Sequence, residues 1–134
     1  MTVSQTIRPF LMFQDSQAEA AMTFYVSLFL DSEILDIDRY GAAGPGPEGS
    51  VIRARFRISG QEIFCADSFV KHAFDFTPSA SLFVDCASEA EIARLAAALG
   101  DGGAELMPIG DYGFSRRFAW LNDRYGVSWQ LNLA

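Results

Sequence analysis

The stretch Val51–Asp67, VIRARFRISGQEIFCAD, decides the fold class of this chain. Ile52, Ala54, Phe56 and Ile58 alternate with Arg53, Arg55 and Arg57, the period of two that sends successive side chains to opposite faces of a strand. Ser59-Gly60 is a two-residue hairpin turn, and Gln61–Asp67 returns as the partner strand. Working back from this hairpin, Ile7–Phe13 is largely apolar and reads as a buried strand. Asp15-Ser16 can cap a helix whose stripe is Ala20, Ala21, Phe24, Tyr25, Leu28 and Phe29, ending near Leu30-Asp31. Glu33–Tyr40 reads as a second strand. The loop Gly41–Gly49, GAAGPGPEG, is too rich in Gly and Pro for regular structure.

Working forward, Ser68–Pro78 is an irregular connection and Ser79–Asp85 a strand. Ser88 and Glu91 form a capping box that opens a helix over Glu89–Leu99, stopped by Gly100, Gly102 and Gly103. Strands follow at Ala104–Ile109, Ser115–Leu121 and Val127–Leu133, the last two joined by the turn Asn122–Gly126. The order strand, helix, then two or three strands thus occurs twice, over about Ile7–Asp67 and about Ser79–Leu133. Neither half has enough apolar surface to stand alone. The expectation is an α+β fold, the two halves pairing into one curved sheet or half-barrel with helices outside.

Composition narrows the function. The 134 residues suit a single domain spanning the chain, and 50% apolar against 20% charged residues is the balance of a compact globule. The net charge of −7 lacks the basic footprint of nucleic-acid binding and would be repelled by an anionic membrane surface. No apolar run approaches the length of about 20 residues that a membrane span needs, and the start, MTVSQTIRPF, lacks the basic and apolar regions of a signal peptide. Cys65 and Cys86 sit in apolar surroundings without a CxxC motif, which points to reduced thiols in the cytoplasm.

Three strings carry a resemblance: PFLMFQDSQAEAAMTFY (Pro9–Tyr25), FTPSASLFVDC (Phe76–Cys86) and DYGFSRRFAWLNDRYGVSWQLNL (Asp111–Leu133). They resemble the vicinal oxygen chelate superfamily of glyoxalases, bleomycin-resistance proteins and extradiol dioxygenases, and within it the PhnB-like branch. The resemblance implies paired βαβββ modules and a homodimer, for which Phe69, Phe74 and Phe76 would suit an interface. It also implies three metal-ligand positions, falling here at Arg8, at Ser79 or its neighbour Ser81, and at Gln130. A guanidinium has no lone pair to give, a serine hydroxyl is a poor ligand, and Gln130 offers only an amide oxygen. The expectation is therefore no metal triad and no cofactor. The branch often carries a 3-demethylubiquinone-9 3-methyltransferase label. A Rossmann-type methyltransferase would need a Gly-rich turn after the first strand, where this chain has FQDSQAEAA.

Alternation selects the residues that would line a cavity. Arg8, Phe10 and Met12 share a face of the first strand, Ser79, Ser81 and Phe83 a face of the strand opening the second half, and Ser128, Gln130 and Asn132 a face of the last. Phe10, Met12 and Phe83 would floor the pocket, with Arg8, Ser81 and Gln130 as polar handles. Ser128 and Asn132 read as cross-strand hydrogen-bonding groups, whereas Gln130 reads equally as a ligand contact or a structural pair. Arg116 and Arg117 must point oppositely. Arg116 shares its face with Phe118 and Trp120 and is the preferred anion anchor, the alternative being an ion pair with Asp111 or Glu105. Arg53, Arg55 and Arg57 face Asp36 and Asp38 as cross-strand ion pairs. His72 reads as a loop residue before a general base, with Asp67 and Asp75 as its only acidic neighbours in sequence. By resemblance Tyr112 lies at a cavity mouth, and neither cysteine has the cationic neighbour a nucleophile needs. The leading expectation is a metal-independent small-molecule-binding protein. The alternatives are a metal-dependent lyase, isomerase or dioxygenase of the same superfamily, and a purely structural dimer.

Overall fold

The computed structural model describes residues 4–134. The leader-peptide reading of MTVSQTIRPF rests in part on residues 1–3, which lie outside the described residues. The chain divides into two compact units, Met1–Lys71 and His72–Ala134. Each has the order βαβββ, in an α+β fold.

Unit 1 contains β1 (Phe10–Phe13), α1 (Ala18–Leu28), β2 (Glu33–Arg39), β3 (Val51–Ile58) and β4 (Gln61–Asp67). Its sheet has the order β1-β4-β3-β2, with β1 parallel to β4 and the other neighbours antiparallel. The hairpin turn is as read: Ser59 and Gly60 both have positive φ, 48° and 82°, which matches the twist of the strands it joins. Ala54, Phe56 and Ile58 on β3 and Ile63 and Cys65 on β4 are buried with Ala18, Ala21, Met22 and Tyr25 of α1. The helix stripe is thus 18, 21, 22, 25, and Ala20 is exposed. Ile52 is 45% exposed and Val51 buried, contrary to strict alternation, because the β2–β3 register shifts between Asp38 and Arg39.

The start of α1 differs from the sequence reading. Asp15 and Ser16 adopt positive φ, 60° and 56°, and the residue at the cap position, Gln17, makes no side-chain cap. The cap comes instead from Asp67, whose Oδ1 accepts from the Ala18 amide at 2.8 Å while its Oδ2 accepts from the Val51 amide at 2.9 Å. One buried carboxylate thereby ties the helix start to β3 and β4, satisfying two backbone donors that would otherwise be stranded.

Unit 2 contains β5 (Leu82–Asp85), α2 (Glu89–Gly100), β6 (Ala104–Gly110), β7 (Arg117–Asn122) and β8 (Ser128–Leu133). Its sheet order is β5-β8-β7-β6, again with one parallel pair, β5 and β8. Here the cap is local, as expected. Ser88 Oγ accepts from the Glu91 amide at 3.1 Å, and Glu91 reaches back one residue beyond the usual box to the Ala87 amide. Gly103 is required after α2, since a Cβ there would lie 2.0 Å from the Asn122 carbonyl oxygen. Val127, Trp129, Leu131 and Leu133 are buried, with Ile92, Leu95 and Leu99 of α2. Asp123 closes the β7–β8 turn by accepting from the Tyr125 and Val127 amides and from Trp129 Nε1. The strands expected over 7–13 and 79–85 are shorter, Phe10–Phe13 and Leu82–Asp85, because pairing to β4 and β8 begins only there.

Candidate functional site

In unit 2 the helix takes the apolar face of the sheet, and the opposite face carries the candidate residues. Register places Phe83, Gln130, Trp120 and Met107 side by side across β5, β8, β7 and β6. Phe83 is 56% exposed, while Gln130, Trp120 and Met107 are half-buried. Beside this row Ser128 accepts from Trp120 Nε1 at 2.9 Å and shares a hydrogen bond with Ser81 at 2.8 Å. On the other side Asn132 donates to Asp85 and accepts from Ser115. The serine and asparagine are therefore cross-strand groups, and Ser128 holds the indole of Trp120 in place.

Gln130 differs. Among the described residues its side-chain amide has no hydrogen-bond partner, although it stands half-buried between two rings. Asn122, the next residue but one after Trp120 on the same face, has its Oδ1 buried without a partner as well. A buried oxygen without a partner costs about 1–3 kcal/mol unless water or a ligand meets it, whereas the half-buried Gln130 amide stays open to either. The sequence reading assigned Asn122 to a turn; it ends β7, and continuing the alternation Phe118, Trp120 by one more step would have found it. Met107 escaped because register shifts interrupt β6 on either side of it.

Arg116 has the parity of Phe118 and Trp120, just before β7. Its Nε donates to the Ala134 carbonyl at 2.8 Å, and no ion pair forms with Asp111 or Glu105 among the described residues. Arg117 lies on the other face, with its Nε 4.0 Å from Glu89 of α2. Tyr112, Phe114 and Phe118 cluster at the β6–β7 connection, and Tyr112 donates to the Pro108 carbonyl. His72 stacks on Phe74 at 4.5 Å. Of the acidic neighbours expected in sequence, Asp67 accepts from two backbone amides and Asp75 from the Phe76 amide.

In unit 1 the face away from α1 carries Arg8, Phe10 and Met12, as read. Arg8 does not stand free as a polar handle. Its Nε donates to Glu62 at 3.0 Å, and its guanidinium lies 5.5 Å from the Phe64 ring centre. The expected ion pair of Arg55 with Asp36 forms, at 3.0 Å; Arg57 instead takes Glu33 at 2.9 Å, since Glu33 is its register partner. A depression of about 190 Å³ lies between the β1–α1 loop, Pro47 and Ser68–Lys71.

Both cysteines are buried thiols. Burial, reinforced by Asp67, pushes Cys65 up to about 12; burial and the nearby Glu91 push Cys86 up to about 11. Neither supplies a thiolate nucleophile near neutrality. No group of three or more His, Cys, Asp or Glu side chains suited to a metal occurs among the described residues. At the positions implied by resemblance, Arg8 is a cation bound to Glu62 and the Ser81 hydroxyl is engaged with Ser128. That donor set does not fit a divalent ion.

The profile of the family described as 3-demethylubiquinone-9 3-methyltransferase matches residues 5–132. The chain belongs to this PhnB-like family of the vicinal oxygen chelate superfamily. Within the family it is similar to the PhnB protein of Bacillus cereus, provisionally assigned as such a methyltransferase, with 56% identity over 97% of this chain and 100% of that one and a TM-score of 0.94. It is also similar to protein PA1353 of Pseudomonas aeruginosa, with 26% identity, 97% and 98% coverage and a TM-score of 0.82. The fosfomycin resistance protein FosX of Listeria monocytogenes, solved with Mn(II) and sulfate, shares the fold at 12% identity, 99% and 94% coverage and a TM-score of 0.65. Among curated proteins none matches the chain. No described helix is long and apolar enough to cross a membrane.

Proposed function

We propose that this PhnB-like protein binds a small molecule without a metal triad, on the face of the unit 2 sheet centred on Gln130. The observation that carries this is the unpaired, half-buried Gln130 amide between Phe83 and Trp120. Two rings and a thioether offer an apolar platform, and the amide offers one donor and one acceptor to orient what lies on it. The ligand that fits is flat, largely apolar and carries one neutral hydrogen-bonding group. Arg116, at the end of the same face, would serve a ligand with an acidic tail. Two buried thiols and the net charge of −7 support a cytoplasmic single-domain protein, and the exposed Phe69 and Phe74 support a homodimer.

The methyltransferase activity in the family's description is not part of this reading. Each sheet has four strands with a single parallel pair, and β1 enters α1 through Gln14–Gln17 without a glycine-rich turn. A doubly wound nucleotide-binding frame is built otherwise. FosX, solved with Mn(II), motivates the metal-dependent alternative.

The test is a small-molecule screen by thermal shift on wild type, Gln130→Ala and Trp120→Ala, with Fe²⁺, Mn²⁺, Ni²⁺ or Zn²⁺ added in parallel to protein purified without chelators. Hits that raise the wild-type Tm and lose their effect in both variants support the platform. Near-stoichiometric metal that disappears on Gln130→Ala would overturn it in favour of the metal-dependent enzyme.

A further inference from the structure

We propose that the unit 1 sheet carries a site, centred on Arg53 and Ala66, for a small aryl carboxylate. Four arginines occupy the face away from α1, and three are neutralised. Arg8 pairs with Glu62, Arg55 with Asp36 and Glu62, and Arg57 with Glu33 and Asp31. Arg53 alone of the four has no carboxylate within 4.0 Å among the described residues. Even Asp38, opposite it in register, forms no ion pair there. Its guanidinium instead stands 5.7 Å from the Phe64 ring centre, held by the ring face and open to solvent.

Beside this cation the register sets a small side chain among larger ones, a recess by size. Met12 pairs with Ala66, and continuing the β3–β4 register one step beyond Ala54 and Cys65 sets Arg53 on the other side of Ala66. Phe64 lies two residues back on the same face. A methyl side chain is thereby walled by a thioether, an aromatic ring and a guanidinium. A carboxylate meets the planar guanidinium through two parallel hydrogen bonds, while an attached ring lies over Ala66 against Met12 and Phe64. A ligand with the charge but no ring, or the ring but no charge, forfeits half of these contacts.

The probe is benzoate, followed by ¹H–¹⁵N shifts of Arg53 Nε and the Ala66 amide in the full chain. Benzamide serves as the uncharged isostere and acetate as the ringless anion. The expected result is saturable binding of benzoate, with both controls and Arg53→Gln weaker by roughly tenfold, the factor set by a lost charge-assisted hydrogen bond or a lost stacking contact. Ala66→Leu, which fills the recess, should abolish binding while leaving Arg53 in place. Arg57→Gln, which removes a paired charge, should leave the affinity unchanged. Equal binding of benzoate and acetate, equal losses in Arg53→Gln and Arg57→Gln, or shifts that never saturate would overturn the proposal.

Discussion

The two units share one topology and one way of burying a helix, yet their opposite sheet faces are built from different chemistry. Unit 1 presents arginines interleaved with Glu33, Asp36 and Glu62, an ionic lattice in which nearly every charge has a partner. Unit 2 presents Phe83, Trp120, Met107 and uncharged amides at the equivalent strand positions. The helix face is dictated by apolar burial and so varies little between units. The other face is free of that constraint, which is why function can be written there.

The helices show a second contrast. The start of α2 is capped by Ser88 a few residues away, whereas α1 depends on Asp67, 49 residues distant in sequence. The largest effect expected from breaking this contrast is that of Asp67→Ala. It strands the Ala18 and Val51 amides and should cost about 3 kcal/mol in urea unfolding, against about 1 kcal/mol for Ser88→Ala. Equal costs would show that the distant cap is no more important than the local one.

Next in size is the contrast inside unit 2. Ser128→Ala removes the acceptor of the Trp120 indole N–H and should lower stability by about 1–2 kcal/mol. Gln130→Leu should change it by less than about 0.5 kcal/mol, because no protein partner is lost. A Gln130 cost as large as that of Ser128 would mean the amide is paired in solution, and the platform reading would fail.

The smallest expected effect is alkaline. The Cys65 thiol is pushed from 9.0 to about 12 by burial and by Asp67, so the folded state holds its proton more tightly than the unfolded chain. The resulting stability is complete below pH 9 and is lost as the pH rises from there toward 12. About 1 kcal/mol should disappear between pH 9 and 10. Cys65→Ala, less stable at pH 8 through its cavity, should show a flatter decline across that range. Parallel declines in the two proteins would remove Cys65 as the cause.

How much of this was legible depends on the range of the forces involved. The bounds of Val51–Ile58, Ser59-Gly60 and Gln61–Asp67 could be read to the residue, because alternation and turn chemistry act over two to four positions, whereas the register shift that exposes Ile52 could not. The parity of Gln130 with Ser128 and Asn132, and of Arg116 with Trp120, was equally open to reading. The error at Asp15-Ser16 had a definite cause. Those residues look like a cap, but their positive φ takes them out of capping geometry, and the carboxylate that does the work sits at the end of another strand.

By itself, then, the sequence determined the βαβββ order of both units, the buried face of β8 and the family, since periodic burial is written in neighbouring residues. Only the tertiary structure decided which polar groups find partners. Ser128 meets Trp120 and Ser81, Arg8 meets Glu62, and Asp67 meets Ala18, while Gln130 and Arg53 meet no such group among the described residues. Hydrogen bonds and ion pairs form over about 3 Å between residues that register brings together from distant parts of the chain, and no local pattern encodes that distance.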